Sequence, residues 1–414
     1  MHWDVVVVGA GAAGLVAAER AASRGRRTLL LEKNRKPGVK ILISGGTRCN
    51  LTHATDARGI VTAYGPPGRF LHSALAALSP ADLVALVEAE GVATKIEPDT
   101  GKIFPASDRA LDVLGAFLAR LRRTDCELAL GEALSDVQHT VDGFDLATSK
   151  RTLLTKKLVI TTGGQSYPGC GTTGDGYRFA THLGHGLVPP RPALVPVTIS
   201  TPWVQELTGV TIPDTGLRVI DPEIENAKAR VLDSRRGSLL FTHFGLSGPV
   251  ALDISRVVTA HARPQLLRME CDFLPNVSAV ALEEELRAAA AASGKKQLLS
   301  LVPELLPRRL AESLLRAAGL AAEKKAGEMS KTERATLVRA LKQTVIAING
   351  TRGFLKAEVT AGGIPLAEVD SRTLESKIVP GLHLAGEVLD LDGPIGGYNF
   401  QAAFSTGWLA GLSV

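Results

Sequence analysis

The chain has 414 residues, 45% of them hydrophobic, and 47 Lys/Arg against 42 Asp/Glu give a formal net charge of +5. That length sets an expectation of two or three domains with a sizeable core, and no run reaches the roughly eighteen apolar residues of a membrane-spanning helix. Cys49, Cys126, Cys170 and Cys271 stand apart from one another, which excludes a zinc-finger spacing and a redox C-x-x-C pair. A core strand that starts within four residues of Met1 predicts no signal peptide and a cytoplasmic address.

Asp4 followed by four valines reads as a short buried strand. It runs into Gly9-Ala10-Gly11-Ala12-Ala13-Gly14, and a helix with apolar Leu15, Val16, Ala18 and Ala22 then stops at Gly25. Residues 28–31 form a second buried strand that ends at Glu32, which completes a βαβ unit. Each glycine has a mechanical reason: Gly9 for the tight turn, Gly11 for approach of a pyrophosphate, Gly14 for helix-on-strand packing. Ala12 and Ala13 open the helix whose free N–H groups would receive the phosphates. Glu32, with Lys33 beside it, is placed to accept from ribose hydroxyls. This motif specifies a dinucleotide without separating FAD from NAD.

Further along lie three dense elements: residues 40–52 (Lys40 to Thr52, through Ser44, Gly45, Gly46, Thr47, Arg48 and Cys49), residues 163–168, and residues 172–177. Thr162, Gly163 and Gly164 open a loop expected to lie over the cofactor or active site. Inside it, residues 169–174 also spell G-x-G-x-x-G, but no strand directly precedes them and no acid follows at the right distance, so they do not predict a second nucleotide fold. His182 and His185 are read as sharing a helix in a solvated or capping role, and no metal site is expected. Pro189, Pro190 and Pro192 mark an exit. The chain then turns β-rich, with strands over 218–221 and 238–242, and after Pro275 it becomes rich in Ala, Leu, Glu and Lys. Ser330-Lys331-Thr332-Glu333 spells a capping box, and residues 342–348 return to strand. The expected architecture is α/β: a Rossmann-type domain built from residues 1–190 and 360–414, a β-rich insert of 191–275 and 341–359, and a helical subdomain of 276–340.

The C-terminal end separates the cofactors. A short strand runs into Ala385-Gly386-Glu387, and Glu387 is placed to bond a ribityl hydroxyl, which FAD has and NAD lacks. Gly396-Gly397 then precede a helix starting near Asn399, whose N-terminus would face the pyrimidine end of the isoalloxazine and favour its negative charge. Gly397, Tyr398 and Asn399 are therefore candidate flavin contacts.

With these pieces in order, the chain resembles a bacterial NAD(P)/FAD-dependent oxidoreductase family that includes a bile-acid dehydro-steroid reductase, an aminoacetone oxidase and a ribosomal-RNA dihydrouridine synthase. The matching elements are residues 40–52, 163–168, 172–177, 241–249 and 359–363, with the two C-terminal motifs. Thr47 stands where the family usually has a glycine, so a positive φ there would fit threonine poorly. The resemblance implies that substrate binds between an insert and the flavin face, and that Lys40, Ser44, Gly45 and Arg48 lie beside the cofactor. Arg48 is expected at the pyrophosphate or a substrate carbonyl, and Cys49, His243 and Tyr398 are candidates for proton transfer.

Three functions follow. The leading one is an NAD(P)H-driven reductase that passes hydride through flavin N5 to a carbonyl-activated C=C bond, in a small enone or a uridine of RNA. The others are a flavin amine oxidase using O2, and an RNA-binding protein with a structural flavin. Residues 276–340 hold 11 Lys/Arg against 8 Asp/Glu, including Lys295-Lys296, Arg308-Arg309 and Lys324-Lys325, a balance suited to an RNA substrate. Substrate, NADH against NADPH, and oligomeric state stay open on the residues alone.

Overall fold

The computed structural model describes residues 2–222, 230–292, 294–302 and 306–414. Its contacts divide the chain into two units, Met1–Pro192 with Glu358–Val414, and Ala193–Ala357.

The first unit is organised by six strands and four helices: β1 (His2–Val8), α1 (Ala12–Ala22), β2 (Thr28–Glu32), α2 (Val39–Thr47), β3 (Glu127–Leu130), β4 (Gly143–Thr148), β5 (Thr152–Ile160), α3 (Asp175–His182), β6 (Leu382–Leu384) and α4 (Tyr398–Ser413). A parallel sheet runs β3-β2-β1-β5-β6. The long β5 serves two partners on one edge. Its first half pairs antiparallel with β4, and its second half pairs parallel with β6, as Leu384 opposite Ile160 shows. The valines of β1 are buried because a parallel sheet covered on both faces admits no polar alternation.

The registers Val8↔Leu31, Val8↔Ile160 and Leu384↔Ile160 align the carboxyl ends of these strands. Loops from both ends of the chain therefore leave the sheet at one edge, where open α/β sheets bind their ligands. Helix α4 presses on α1 backbone to backbone. A Cβ on Gly407 would lie 2.2 Å from the Ala13 carbonyl oxygen, and one on Gly411 would lie 2.4 Å from that of Ala17. Helix α3 ends at His182, so His185 lies beyond it and the two histidines do not share a helix. His185 is instead fixed between Glu368 (2.8 Å) and Ser376 (2.8 Å).

The second unit is a seven-stranded antiparallel sheet in the order Thr344–Ala347, Arg268–Asp272, Thr211–Asp221, Arg230–Thr242, Gly245–Ser247, Val197–Thr198, Gly350–Thr351. Helices Ala279–Ala292, Arg308–Ala317 and Lys331–Lys342 follow the turn at Pro275, and Leu282, Leu310, Leu314 and Leu337 enter the same core as Leu217, Met269 and Cys271. Both hydrogen bonds of the Ser330/Glu333 capping box are present. The helix it opens continues through Lys342, so the return to strand begins only at Thr344. Among the described residues no single helix is long and apolar enough to cross a membrane.

Candidate functional site

At the carboxyl edge of the first unit, the glycines of the β1–α1 turn are required by contact. Gly9 has φ +103° and its N–H donates to the Leu31 carbonyl at 2.8 Å. A Cβ on Gly14 would lie 1.8 Å from the Gly9 carbonyl oxygen, so only glycine lets α1 sit this close to the turn. Gly11, the N-cap, has no side-chain cap, and the space where its Cβ would stand is empty. The result is an uncapped helix end facing an open cradle, which fits a pyrophosphate. Glu32 is buried and held by two backbone donors, Ala10 N–H (2.9 Å) on one oxygen and Asn34 N–H (2.8 Å) on the other. Each oxygen keeps a lone pair, so the carboxylate can still accept from a ribose. Lys33 is drawn away from it to Asp175 and to Thr173 (2.7 Å), while Asn34 donates to the Cys170 carbonyl at 2.9 Å. These contacts fasten the loop between β5 and α3 to the end of β2.

The motifs from the two ends of the chain touch. A Cβ on Gly386 (φ +78°) would lie 2.9 Å from the Ala13 Cβ, and its N–H donates to Thr406 at 3.0 Å. Glu387, next in sequence, is the hub of a network from four separate segments. Lys40 Nζ donates to one of its oxygens; Ser166 Oγ (2.8 Å) and the Thr360 N–H (3.0 Å) donate to the other. Lys40 also reaches Ser166 at 2.7 Å, and Thr360 Oγ1 accepts from the N–H groups of Gln165 (2.8 Å) and Ser166 (3.0 Å). Gly164 lies in this knot, where a Cβ would stand 2.4 Å from Thr360 Oγ1. Gly163, with φ +74°, turns the chain into it, and Thr162 Oγ1 is buried without a partner. A small pocket lined by Gly386, Glu387, Leu391, Asn399, Ala402, Ala403 and Thr406 lies beside the hub.

The third wall is the loop after α2 together with the start of α4. Helix α2 breaks at Ser44 (ψ 150°), whose Oγ donates back to the Ile41 carbonyl (2.9 Å), and Gly45, Gly46 and Thr47 are then left-handed in succession, with φ +56°, +68° and +69°. Thr47 is thus strained at the position where the resemblance expects glycine. Gly397 (φ +94°) has room for no side chain, since a Cβ would lie 2.4 Å from the Thr52 carbonyl oxygen. Asn50 accepts from the Gly397 N–H (2.9 Å) and donates to the Thr52 carbonyl (3.1 Å). Asn399 closes the approach to α4, accepting from Gly393 N–H (2.8 Å) and donating to the Gly393 carbonyl (3.0 Å). The helix begins at Tyr398 with no side-chain cap. The Tyr398 ring stacks on His53 at 4.6 Å and 23°, and His53 Nδ1 is 3.0 Å from the Gly396 carbonyl. His53 was not singled out by the sequence reading. Its only signal is its place directly after the Cys49–Thr52 run.

Two other predicted residues are occupied within the chain. Arg48 pairs with Glu97 at 2.7 Å and lies 4.0 Å over the Phe104 ring, and its guanidinium holds the Glu97 carboxyl below the usual range. Cys49 is fully buried, and burial pushes its thiol up to about 12. His243 lies in the second unit, exposed in the turn between strands Arg230–Thr242 and Gly245–Ser247. The structure therefore gathers Gly9–Gly14, Glu32, Lys40, Gly163–Gly164, Gly386–Glu387 and Gly397–Asn399 at one edge of the first unit. The uncapped α1 end, the buried Glu32 and the glycine-lined contacts with α4 fit a flavin dinucleotide.

Residues 3–413 match the model described as the HI0933-like protein Rossmann domain. The chain is 36% identical over 410 residues to the ribosomal RNA dihydrouridine synthase of Escherichia coli (strain K12), covering 98% of this chain and 96% of that protein. It is 30% identical over 409 residues to the 3-dehydro-bile acid delta(4,6)-reductase of Clostridium scindens, covering 98% and 97%. Among solved structures, 3-ketosteroid-delta4-(5alpha)-dehydrogenase from Rhodococcus jostii RHA1 superposes with a TM-score of 0.49 at 15% identity, covering 100% of this chain and 96% of that one.

Proposed function

The chain belongs to the HI0933-like Rossmann family of FAD-dependent oxidoreductases, and from that premise we propose that it is an NAD(P)H-driven reductase of a carbonyl-activated C=C bond, acting on uridine in RNA. One observation carries the reading. The two relatives named above, similar over nearly their full lengths, have names that describe the same chemistry on different molecules. Making dihydrouridine saturates the C5=C6 bond beside a pyrimidine carbonyl, and a delta(4,6)-reductase saturates bonds in line with the 3-oxo group of a steroid. The higher identity to the RNA enzyme and the net charge of +5 favour RNA over a small enone.

When bound, FAD supplies the hydride carrier. The chain's residues do the rest. The α1 end and the Gly9–Gly14 turn would hold the pyrophosphate, Glu32 would take the adenosine ribose, and Glu387, oriented by Lys40, Ser166 and the Thr360 N–H, would take the ribityl chain. The N-terminus of α4 would set a positive field at the flavin ring, worth about 1–2 kcal/mol in a partly buried geometry. Hydride addition to the β-carbon sends electrons to the carbonyl oxygen and requires a proton at the α-carbon. Tyr398, in the first turn of α4, is our candidate to give it. Cys49 receives no step, because a thiol buried and pushed up to about 12 keeps its proton. The free, isolated cysteines suit a reducing cytoplasm.

The test is anaerobic mixing of the yellow protein with NADPH and then NADH, following the flavin absorbance. Rapid bleaching, with reoxidation by uridine-bearing RNA, is the expected result. A flavin that dithionite reduces but neither nucleotide does would overturn the reading and turn the search to primary amines and peroxide release.

A further inference from the structure

The second unit carries the whole excess of positive charge: residues 193–357 hold 22 Lys/Arg against 17 Asp/Glu, whereas the first unit holds 25 of each. Much of that charge is tied to carboxylates. Arg308 pairs with Glu312, Arg316 with Glu206, Lys324 with Glu333, Arg236 with Asp214 and Arg218 with Glu270. Arg309 donates to the main-chain carbonyls of Thr208 and Glu206. Of the basic doublets that stand out in the sequence, Arg308, Arg309 and Lys324 are thus consumed within the unit.

Arg352 differs. Its guanidinium lies 4.6 Å from the centre of the Phe244 ring, and no carboxylate pairs with it among the described residues. Phe244 belongs to the two-residue turn that joins Thr242 to Gly245. The turn is stiff: Thr242 Oγ1 donates to the Gly245 carbonyl at 2.9 Å, and Gly245, at φ +141°, is pressed against the Val197 carbonyl. Arg352 is anchored by its own backbone, whose N–H donates to the Pro196 carbonyl at 3.0 Å, just past the Gly350–Thr351 strand. His243, the other residue of the turn, is exposed and sits edge-on to Phe244 at 5.0 Å and 78°, its ring nitrogens without a protein partner among the described residues.

A fixed turn and the neighbouring Arg352 therefore present an aromatic ring, an exposed imidazole and a guanidinium with unfilled donors. Rings of this kind stack unpaired bases, and the guanidinium fork matches a phosphate or a base carbonyl in a way that a lysine does not. We propose that His243, Phe244 and Arg352 form a platform that holds an unpaired nucleobase and its phosphate, making the second unit the part of this chain that grips a single-stranded or flipped segment of RNA. The proposal rests on the RNA-substrate reading above.

The experiment is fluorescence anisotropy of a labelled single-stranded RNA oligonucleotide titrated with the holoenzyme. Arg352→Gln and Phe244→Leu are expected to weaken binding about tenfold each, and His243→Gln severalfold. The double variant R308Q/R316Q removes two charges already paired with carboxylates and is expected to change affinity less than about twofold. Thermal melts confirm that each variant folds, and the two polar substitutions keep the test decisive where F244L does not fold. If R308Q/R316Q weakens binding as much as R352Q, bulk charge explains it and the platform is wrong. If R352Q and H243Q bind like the parent, the platform is refuted while the RNA reading stands. No binding by the unsubstituted holoenzyme removes the RNA reading, and the platform with it.

Discussion

In the first unit several glycines bring backbone against backbone: Gly14 under Gly9, Gly407 on Ala13, Gly411 on Ala17, Gly397 on Thr52. In the second unit the core is side chain against side chain, with Leu310, Leu314, Leu337 and Leu341 meeting Leu217 and Met269. Charge divides along the same line, with 25 acids and 25 bases in one unit and an excess of five bases in the other. A site for an extended dinucleotide brings main-chain N–H groups to the ligand, which calls for glycine and leaves no room to relax. A leucine core tolerates adjustment, and its outer surface is free to carry charge for a partner. The same substitution should therefore act differently in the two units.

The largest effect is expected at Gly14. Alanine there places a Cβ 1.8 Å from a carbonyl oxygen on the phosphate turn, and Gly407→Ala does the same at 2.2 Å against Ala13. Each should cost about 3 kcal/mol and yield protein purified without flavin, measured by the ratio of visible to protein absorbance. Gly115→Ala, on the exposed side of helix Ala110–Arg122 with nothing near its Cβ, should instead stabilise by about 0.5–1 kcal/mol. In the second unit, Leu314→Ala should cost about 2–5 kcal/mol in a urea melt while the flavin content stays at the parent value. Flavin loss in L314A would break the division just drawn.

How much of this was legible in the sequence follows from the range of the interactions. The βαβ unit was readable because Val5 to Val8, the three glycines and Glu32 act within one local turn of chain. The two terminal motifs that meet at Ala13 and Gly386 were readable because each is itself local. The Glu387 hub was not: Lys40 lies 347 residues from Glu387, and nothing local in either segment announces Ser166 or Thr360. The resemblance places Arg48 beside the cofactor, and what it could not announce is the strand pair that brings Glu97 and Phe104 against its guanidinium. The Gly407/Gly411 spacing, one helical turn apart, is a signal that a sequence reading can use and that was missed.

A medium-sized effect separates buried charge from exposed charge. His383 is fully buried in β6 with no partner for either ring nitrogen. Burial lowers its pKa to about 4, Glu375 opposes that shift and Lys157 adds to it. The folded state therefore refuses a proton that the unfolded chain accepts near pH 6.5. Stability is fully present above about pH 6.5 and is lost as pH falls toward 4, by about 3 kcal/mol over that window. His383→Leu should flatten this part of the curve and raise stability at pH 5, because it removes two unsatisfied polar atoms from the core. Denaturant midpoints from pH 4 to 7 for both proteins are the check, and parallel curves would assign the acid sensitivity to other groups.

The smallest effect concerns two left-handed residues in the same loop, on either side of Arg48: Thr47 at φ +69° and Cys49 at φ +63°. A non-glycine residue in this conformation costs about 1–3 kcal/mol, while glycine loses about 0.5–1 kcal/mol through the unfolded chain. Thr47 is exposed, so Thr47→Gly forfeits little packing and should stabilise by about 1 kcal/mol or less. Cys49 is fully buried, so Cys49→Gly relieves similar strain but opens a cavity in the core, and the net sign reverses. Opposite shifts in Tm for the two variants are the expected outcome. A fall in Tm for both would mean that the left-handed turn is held by contacts the threonine itself makes, in which case the loop after α2 is specified by its side chains rather than tolerated in spite of them.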